Sequence, residues 1–316
     1  MRISVLGKIA SVTHWLEDCV QALRADGHQV GVAITRNPAF HPAIEGALLS
    51  ERLGAPMASA VARAVARFAP ELIVAIGAYE IPLPILERVA ALPGRAPFYG
   101  WIGDVFTRSA APVAAILDAV AYTDSGLVAR HAELGFAAPA IYLPHAANAH
   151  LGRPPVADRR AMMVFVANPT RHRRAVVEAV DHPLAIFGPA WRRSPAGHEI
   201  HARRVAPEAL ADLYASHLAA LNIRNEHNVL IGLNQRNFDP YLFATPVVTD
   251  DQPDLARCFE PGAEVLVYRG AEELNAHYAR LRRSPGEAAE IGKRGMKRVL
   301  SDHTYSRRLE TLARLA

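Results

Sequence analysis

The feature that most constrains this chain is a recurrence of short runs that are apolar at nearly every position, each followed by a stretch with helical spacing. Leu72-Ile73-Val74-Ala75-Ile76 and Met162-Met163-Val164-Phe165-Val166 are the clearest. A strand with one wet face alternates apolar and polar residues. A strand that is apolar throughout is covered on both faces, which places it in a parallel sheet flanked by helices. The first half supplies such strands at Ile3 to Leu6, Val30 to Ile34, Leu72 to Ile76, Phe98 to Ile102, Val120 to Tyr122 and Ala140 to Leu143. Residues 12–25 carry Val12, Trp15, Leu16, Cys19, Val20 and Leu23 on one helical stripe, ended by Gly27. The second half restarts at Met162, continues at Leu184 to Phe187, Leu218 to Ile223, Pro246 to Thr249 and Val265 to Tyr268, and closes with helices near 270–283, 286–300 and 303–315. Repeated identities at a fixed period are absent, which excludes a solenoid. The predicted fold is α/β, with two doubly wound Rossmann-like domains facing across a cleft.

The Leu151-Gly152-Arg153-Pro154-Pro155 break forbids helix and predicts domains over 1–152 and 153–316, with the last helix, about 304–316, packing back on the first domain. Charge shifts across this break: residues 1–150 carry 11 Lys+Arg and 12 Asp+Glu, the remainder 24 and 19. The whole chain is only +4, too little for a nucleic-acid coat, so no nucleic-acid partner is expected. Cys19 and Cys258 stand in no C-x-x-C pair, which rules out a disulfide framework or zinc ribbon and predicts a reduced, cytosolic compartment. No run approaches the roughly 18 apolar residues of a membrane span, and the first residues lack a signal-peptide core. The cleft between two such domains is the expected ligand site.

Several familiar sites are missing. No G-x-G-x-x-G follows a strand, and Gly7-Lys8 lacks the rest of a phosphate-binding loop. His198-Glu199-Ile200-His201 spaces its histidines three apart and reads as a solvated surface run. Asp124-Ser125-Gly126 lacks the glycine that a nucleophile elbow needs two residues earlier, so Ser125 reads as a helix cap. There is no Asp-x-Asp to clamp a metal-bound diphosphate, and Asp251 reads as a cap of the next helix. No metal site and no cofactor are predicted.

The informative stretch is Leu221-Asn222-Ile223-Arg224-Asn225-Glu226-His227-Asn228, continuing to Asn234-Gln235-Arg236-Asn237-Phe238-Asp239-Pro240-Tyr241. A strand ends at Ile223, and Asp239-Pro240 reads as N-cap and first residue of a helix. Unpaired N–H groups at that helix start, with Arg224 and Arg236 near, would make an anion site suited to a diphosphate. Alternatively Asp239 only caps its helix and the arginines are solvated. Periodicity leaves both open.

These residues resemble the C-terminal domain of glycosyltransferases of the two-domain GT-B architecture, and within them the CgeB-like (spore maturation protein) group. The resemblance covers residues 218–310 and rests on Leu221-Asn222-Ile223-Arg224-Asn225, Arg236-Asn237-Phe238-Asp239, Pro246-Val247-Val248-Thr249-Asp250, Phe259-Glu260-Pro261-Gly262 and His303-Thr304-Tyr305-Ser306-Arg307-Arg308-Leu309. More weakly, Val164 to Asn168 with Arg171-His172-Arg173-Arg174 is similar to the family's first donor-domain strand and basic loop, Ile186 to Trp191 to its strand-and-glycine turn, and Tyr142 to Asn148 to its exit toward the linker. The resemblance implies a nucleotide-sugar donor, most readily a UDP-sugar, held by the second domain without a metal, and an unidentified acceptor held by the first. Fixed cations and helix N–H groups then stabilise the leaving diphosphate. Two positions depart from the family: Asp239 stands where related retaining enzymes have Glu, and Ala244 where they have Gly.

On this reading Arg171 is the foremost diphosphate ligand and Arg236, with the Asn237 and Phe238 backbone, the second; Arg224 and Asn225 complete the donor-binding set, and Asp239 stands where the family's carboxylate accepts hydrogen bonds from the ribose hydroxyls. Gly188 lets the nucleotide approach closely, or is simply a turn. Asp104 ends Tyr99-Gly100-Trp101-Ile102-Gly103 and is the candidate general base, or only a loop carboxylate; His14 is the substitute base. Gly77-Ala78-Tyr79-Glu80 is expected on the acceptor side. Rivals are a sugar-nucleotide epimerase of the same build and a non-catalytic sugar-nucleotide or partner-binding protein.

Overall fold

The computed structural model describes residues 1–9, 13–36, 47–50, 54–156, 158–191 and 197–315. They form two compact units, Met1–Pro144 with Tyr305–Ala316, and His145–Thr304.

The first unit runs β1 (Arg2–Ile9), α1 (Thr13–Ala25), β2 (Gln29–Arg36), β3 (Ala47–Ser50), α2 (Gly54–Phe68), β4 (Leu72–Ile76), α3 (Leu83–Ala90), β5 (Phe98–Ile102), α4 (Ala111–Ala114), β6 (Ala119–Tyr122), α5 (Ser125–Glu133) and β7 (Ala140–Tyr142). Its seven strands are ordered β3-β2-β1-β4-β5-β6-β7 and every pairing is parallel. All five residues of β4 and of β5 are buried, the two-sided cover that their unbroken apolar runs require. On one face α2, α3, α4 and α5 close a core around Val61, Ile85, Val89 and Val120. Elsewhere in the unit Trp15 meets Trp101 edge-on at 4.9 Å, and Trp101 meets Tyr305 at 6.2 Å.

The second unit runs β8 (Arg160–Val166), α6 (Arg171–Glu178), β9 (Leu184–Phe187), β10 (Glu199–His201), α7 (Pro207–Ser216), β11 (His217–Asn222), β12 (Val247–Asp250), α8 (Leu255–Cys258), β13 (Leu266–Tyr268), α9 (Ala271–Arg283) and α10 (Pro285–Asp302). The strand order is β10-β9-β8-β11-β12-β13, again wholly parallel. One core gathers Phe165, Ile186, Leu221 and Tyr278, and another Val164, Phe238, Tyr241 and Phe259. The final helix, α11 (Tyr305–Ala313), belongs to the first unit, where the Arg308 guanidinium donates to the Pro144 carbonyl at 2.7 Å.

Differences from expectation have local causes. The proline break at 151–155 lies within the second unit: the Arg153 amide donates to Leu242 O at 3.3 Å, and its guanidinium lies 5.6 Å from the Phe243 ring centre. His198-Glu199-Ile200-His201 holds edge strand β10 while keeping its Glu199 and His201 side chains 41% and 38% exposed; Glu199 accepts two hydrogen bonds from Arg160 and His201 stacks on Phe187 at 4.3 Å. Asp124, not Ser125, caps α5, accepting from the Gly126 amide at 2.8 Å. Asp251 does not cap α8, whose N-cap position is Asp254; it pairs with Arg269 at 2.9 Å instead. Among the described residues, no helix is long and apolar enough to cross a membrane.

Candidate functional site

In the second sheet the strand order reverses between β8 and β11, and the crevice outside their carboxyl ends is where open α/β sheets bind ligands. Thr170 caps α6 there, its hydroxyl oxygen accepting from the Arg173 amide at 3.2 Å. Arg171 is the first residue of α6 and is exposed. Arg173, two residues on, is 4% exposed and holds a fixed position: Nε donates to Ile223 O at 3.1 Å and Nη1 to Asn168 O at 3.0 Å. Burial, with the neighbouring Arg236 charge, pushes its guanidinium down to about 10, against the opposing pull of Glu226 and Asp250. It stays a cation at neutral pH, with Arg236 as a second positive charge in its field and Glu226 and Asp250 as negative ones.

The sequence reading singles out Arg171, whereas the buried guanidinium is that of Arg173. The signal was present: Arg173 shares the inward face of α6 with Val177, four residues later. A charge at an inward helical position costs free energy unless it is anchored or used.

The other expected ligands divide. Arg224 is tied to Asp250: its amide donates to Oδ1 at 3.2 Å and its Nε lies 3.5 Å from Oδ2. Burial raises the Asp250 carboxyl, with Arg224 opposing. Asn225 closes a turn, its side-chain oxygen accepting from the His227 amide at 3.3 Å. Asn237 and Phe238 do not offer unpaired amides, because these already donate to Asn234 O and Gln235 O, each at 3.0 Å. The Asn237 side chain lies inside a buried network, accepting from Asn222 at 2.9 Å and donating to Thr249 at 3.2 Å. Phe238 is wholly buried against Phe259 and His303. Asp239 is not an N-cap: it is the first residue of a short 3₁₀ turn to Phe243 and accepts from Gln235 Nε2 at 2.8 Å. Ala244 ends that turn at φ 48°, the left-handed region that favours glycine.

Gly188 has a packing reason of its own. A Cβ there would lie 2.3 Å from Ala167 O and 2.9 Å from the Trp191 ring. Glu226 covers the start of α6, accepting from the Thr170 hydroxyl at 2.9 Å and the His172 amide at 3.4 Å. Burial would raise its carboxyl, but the hydrogen bond from its own backbone amide, those from Thr170 and His172 and the nearby His227 outweigh it and hold the group below its ordinary range.

In the first unit Asp104 lines a pocket of about 270 Å³ at the carboxyl ends of β4 and β5, together with Tyr79, Glu80 and Phe106. His14 is not among its lining residues; its side chain is 63% exposed and 3.9 Å from Glu17. Among the described residues, no group of three His, Cys, Asp or Glu is placed to hold a metal ion.

Residues 171–314 match a family model described as glycosyl transferase-like. No curated protein matches the chain in sequence. Among solved structures the chain is similar to sucrose-phosphate synthase from Thermosynechococcus elongatus, at 14% identity and a TM-score of 0.64, with 100% of this chain and 98% of that chain covered. Anabaena HepE in complex with UDP-glucose is similar at 12% identity and TM-score 0.66, covering 99% and 100%. UDP-GlcNAc 2-epimerase from Neisseria meningitidis, bound to UDP-GlcNAc, is similar at 8% identity and TM-score 0.57, covering 99% and 100%. At these identities the likeness is one of fold: two Rossmann-like domains of the GT-B architecture, as expected. Sugar transfer by an enzyme is the activity that the family match and this architecture together support.

Proposed function

We propose that this chain is a metal-independent glycosyltransferase that takes its sugar from a nucleoside-diphosphate sugar, UDP-sugar first, and that it belongs to the CgeB-like group. The observation that carries this is the buried Arg173 guanidinium, anchored on two carbonyls at the switch point of the second sheet with Arg236 in its field. A diphosphate leaving group gains negative charge as the glycosidic bond breaks, and cations already fixed in place stabilise it without reorganising. HepE structures hold UDP and UDP-glucose, which supports the choice of nucleotide. Arg173 is thus the principal diphosphate ligand, with Arg236 and the exposed Arg171 assisting. Asp104, in the first unit's pocket, is the acceptor-side base in preference to the exposed His14. The cytosolic setting belongs to the same proposal and is supported by two buried free thiols, Cys19 and Cys258.

Isothermal titration of the full chain with UDP, GDP and dTDP in EDTA tests this reading. Binding of UDP with micromolar affinity is expected; no binding of any of the three overturns it, and binding that returns only with manganese overturns metal independence. The fold shared with the Neisseria epimerase keeps a second reading in view, in which free sugar is released without an acceptor. Product analysis by NMR separates the two.

A further inference from the structure

The first unit's pocket carries polar chemistry opposite to that of the second unit's site. Its described lining residues include the carboxylate side chains Glu80 and Asp104 and the phenol of Tyr79, with no Lys, Arg or His among them. The remaining wall carries Ile102, Val105, Phe106 and Val113 with the two hydroxyls of Thr107 and Ser109.

The hydrogen-bond sense of Tyr79 is set from behind. His131 is 3% exposed, and its Nε2 lies 2.8 Å from Ala138 O, a carbonyl that can only accept. With the ring neutral, Nδ1 is therefore an acceptor, and the Tyr122 hydroxyl at 2.8 Å donates to it. The Tyr122 oxygen then receives its own hydrogen bond from the Tyr79 hydroxyl at 2.5 Å. Burial pushes the Tyr79 phenol up to about 12, so it keeps the proton it donates inward. What Tyr79 has left to offer the pocket is oxygen lone pairs. The pocket thus combines the acceptors of Tyr79, Glu80 and Asp104 and the hydroxyls of Thr107 and Ser109 with aromatic and aliphatic carbon. Phe106 is held in that wall by stacking on Tyr122 at 5.2 Å, and its carbonyl accepts from Arg130 at 2.7 Å.

Resting on the glycosyltransferase reading, we propose that this pocket holds the acceptor as a single neutral or amino-bearing sugar ring. Its hydroxyl or amino hydrogens point to Tyr79, Glu80 and Asp104, and Tyr79 is a specificity-determining residue whose hydrogen-bond sense is imposed by Tyr122 and His131. Three constraints select that class. The volume of about 270 Å³ is at the small end for ligand pockets and suits one ring. The charged groups of the wall are both carboxylates, Glu80 and Asp104, which only accept when ionised, and this favours a ligand rich in O–H or N–H groups; the Thr107 and Ser109 hydroxyls can pair with either kind of group. The absence of a described cation in the lining disfavours a phosphorylated ring.

Saturation-transfer NMR on the full chain, with UDP binding measured separately, tests the proposal. The probes are methyl glucopyranoside, methyl galactopyranoside and glucosamine, against glucose 6-phosphate and cyclohexanol. At least one neutral or amino sugar should bind at millimolar concentration, at least tenfold more tightly than glucose 6-phosphate or cyclohexanol. Tyr79→Phe should weaken the best sugar about fivefold while leaving UDP affinity in place. Tyr122→Phe frees the Tyr79 hydroxyl to donate, so a deoxyfluoro analogue of the bound sugar should lose less affinity there than in the unaltered chain. Glucose 6-phosphate binding as tightly as the neutral sugars, or UDP binding with no sugar binding, overturns the acceptor class and leaves the glycosyltransferase reading standing. Unchanged sugar affinity in folded Tyr79→Phe removes Tyr79 from its role. Should that variant fail to fold, the ranking of probes on the unaltered chain decides.

Discussion

The two units share a strand plan and differ in what they place at its carboxyl edge. In the second, the crevice at β8 and β11 is served by guanidinium groups, one of them buried and anchored on carbonyls. In the first, the pocket at β4 and β5 is lined by two carboxylates and a phenol turned inward. Sheet order determines where a ligand can sit, whereas the residues just past each strand end determine what kind. The two clusters carry opposite polarity, which is what the proposed diphosphate donor and hydroxyl-bearing acceptor would need.

The contrast breaks most readily at Arg173. Arg173→Ala should lower UDP affinity about 100-fold, since it removes charge-assisted hydrogen bonds and leaves two carbonyls without their donor; titration calorimetry reads the loss, and an affinity within threefold of the parent would empty the cationic site of its centre. Gly188→Ala should cost about 2 kcal/mol of stability, because the added methyl meets backbone oxygen at 2.3 Å rather than a flexible side chain. Chemical denaturation measures it, and a midpoint that does not move would contradict the close approach. Ala244→Gly should raise stability by about 1 kcal/mol by relieving the left-handed strain at φ 48°, visible as a higher melting temperature. Arg171→Ala should change UDP affinity by no more than about threefold, as befits an exposed side chain on a screened surface. A larger loss than at Arg173 would return the principal role to the residue first picked from sequence.

Legibility followed periodicity. β4, β5 and β9 lie at the residues their apolar runs specify, and the closing helices match within a few positions, because burial on both faces leaves a continuous signal in one dimension. Strands β3 and β10 were not foreseen; Glu199-Ile200-His201 is polar at both ends, and an edge strand needs only one neighbour. At the candidate site, the sequence points to Arg224, Arg236 and Asp239, but their partners are not readable from it. Nothing local says that Arg224 is neutralised by Asp250, 26 residues away, or that the amides of Asn237 and Phe238 close their own turn.

By itself, then, the order of residues determined the two doubly wound sheets and the loops at their carboxyl ends, since both follow from local patterns of apolar and polar side chains. Which cation is buried and anchored, and which way the Tyr79 hydroxyl points, was decided only in three dimensions. Those properties depend on hydrogen-bond partners 43 and 50 residues distant in the chain, and no local pattern encodes a partner that far away.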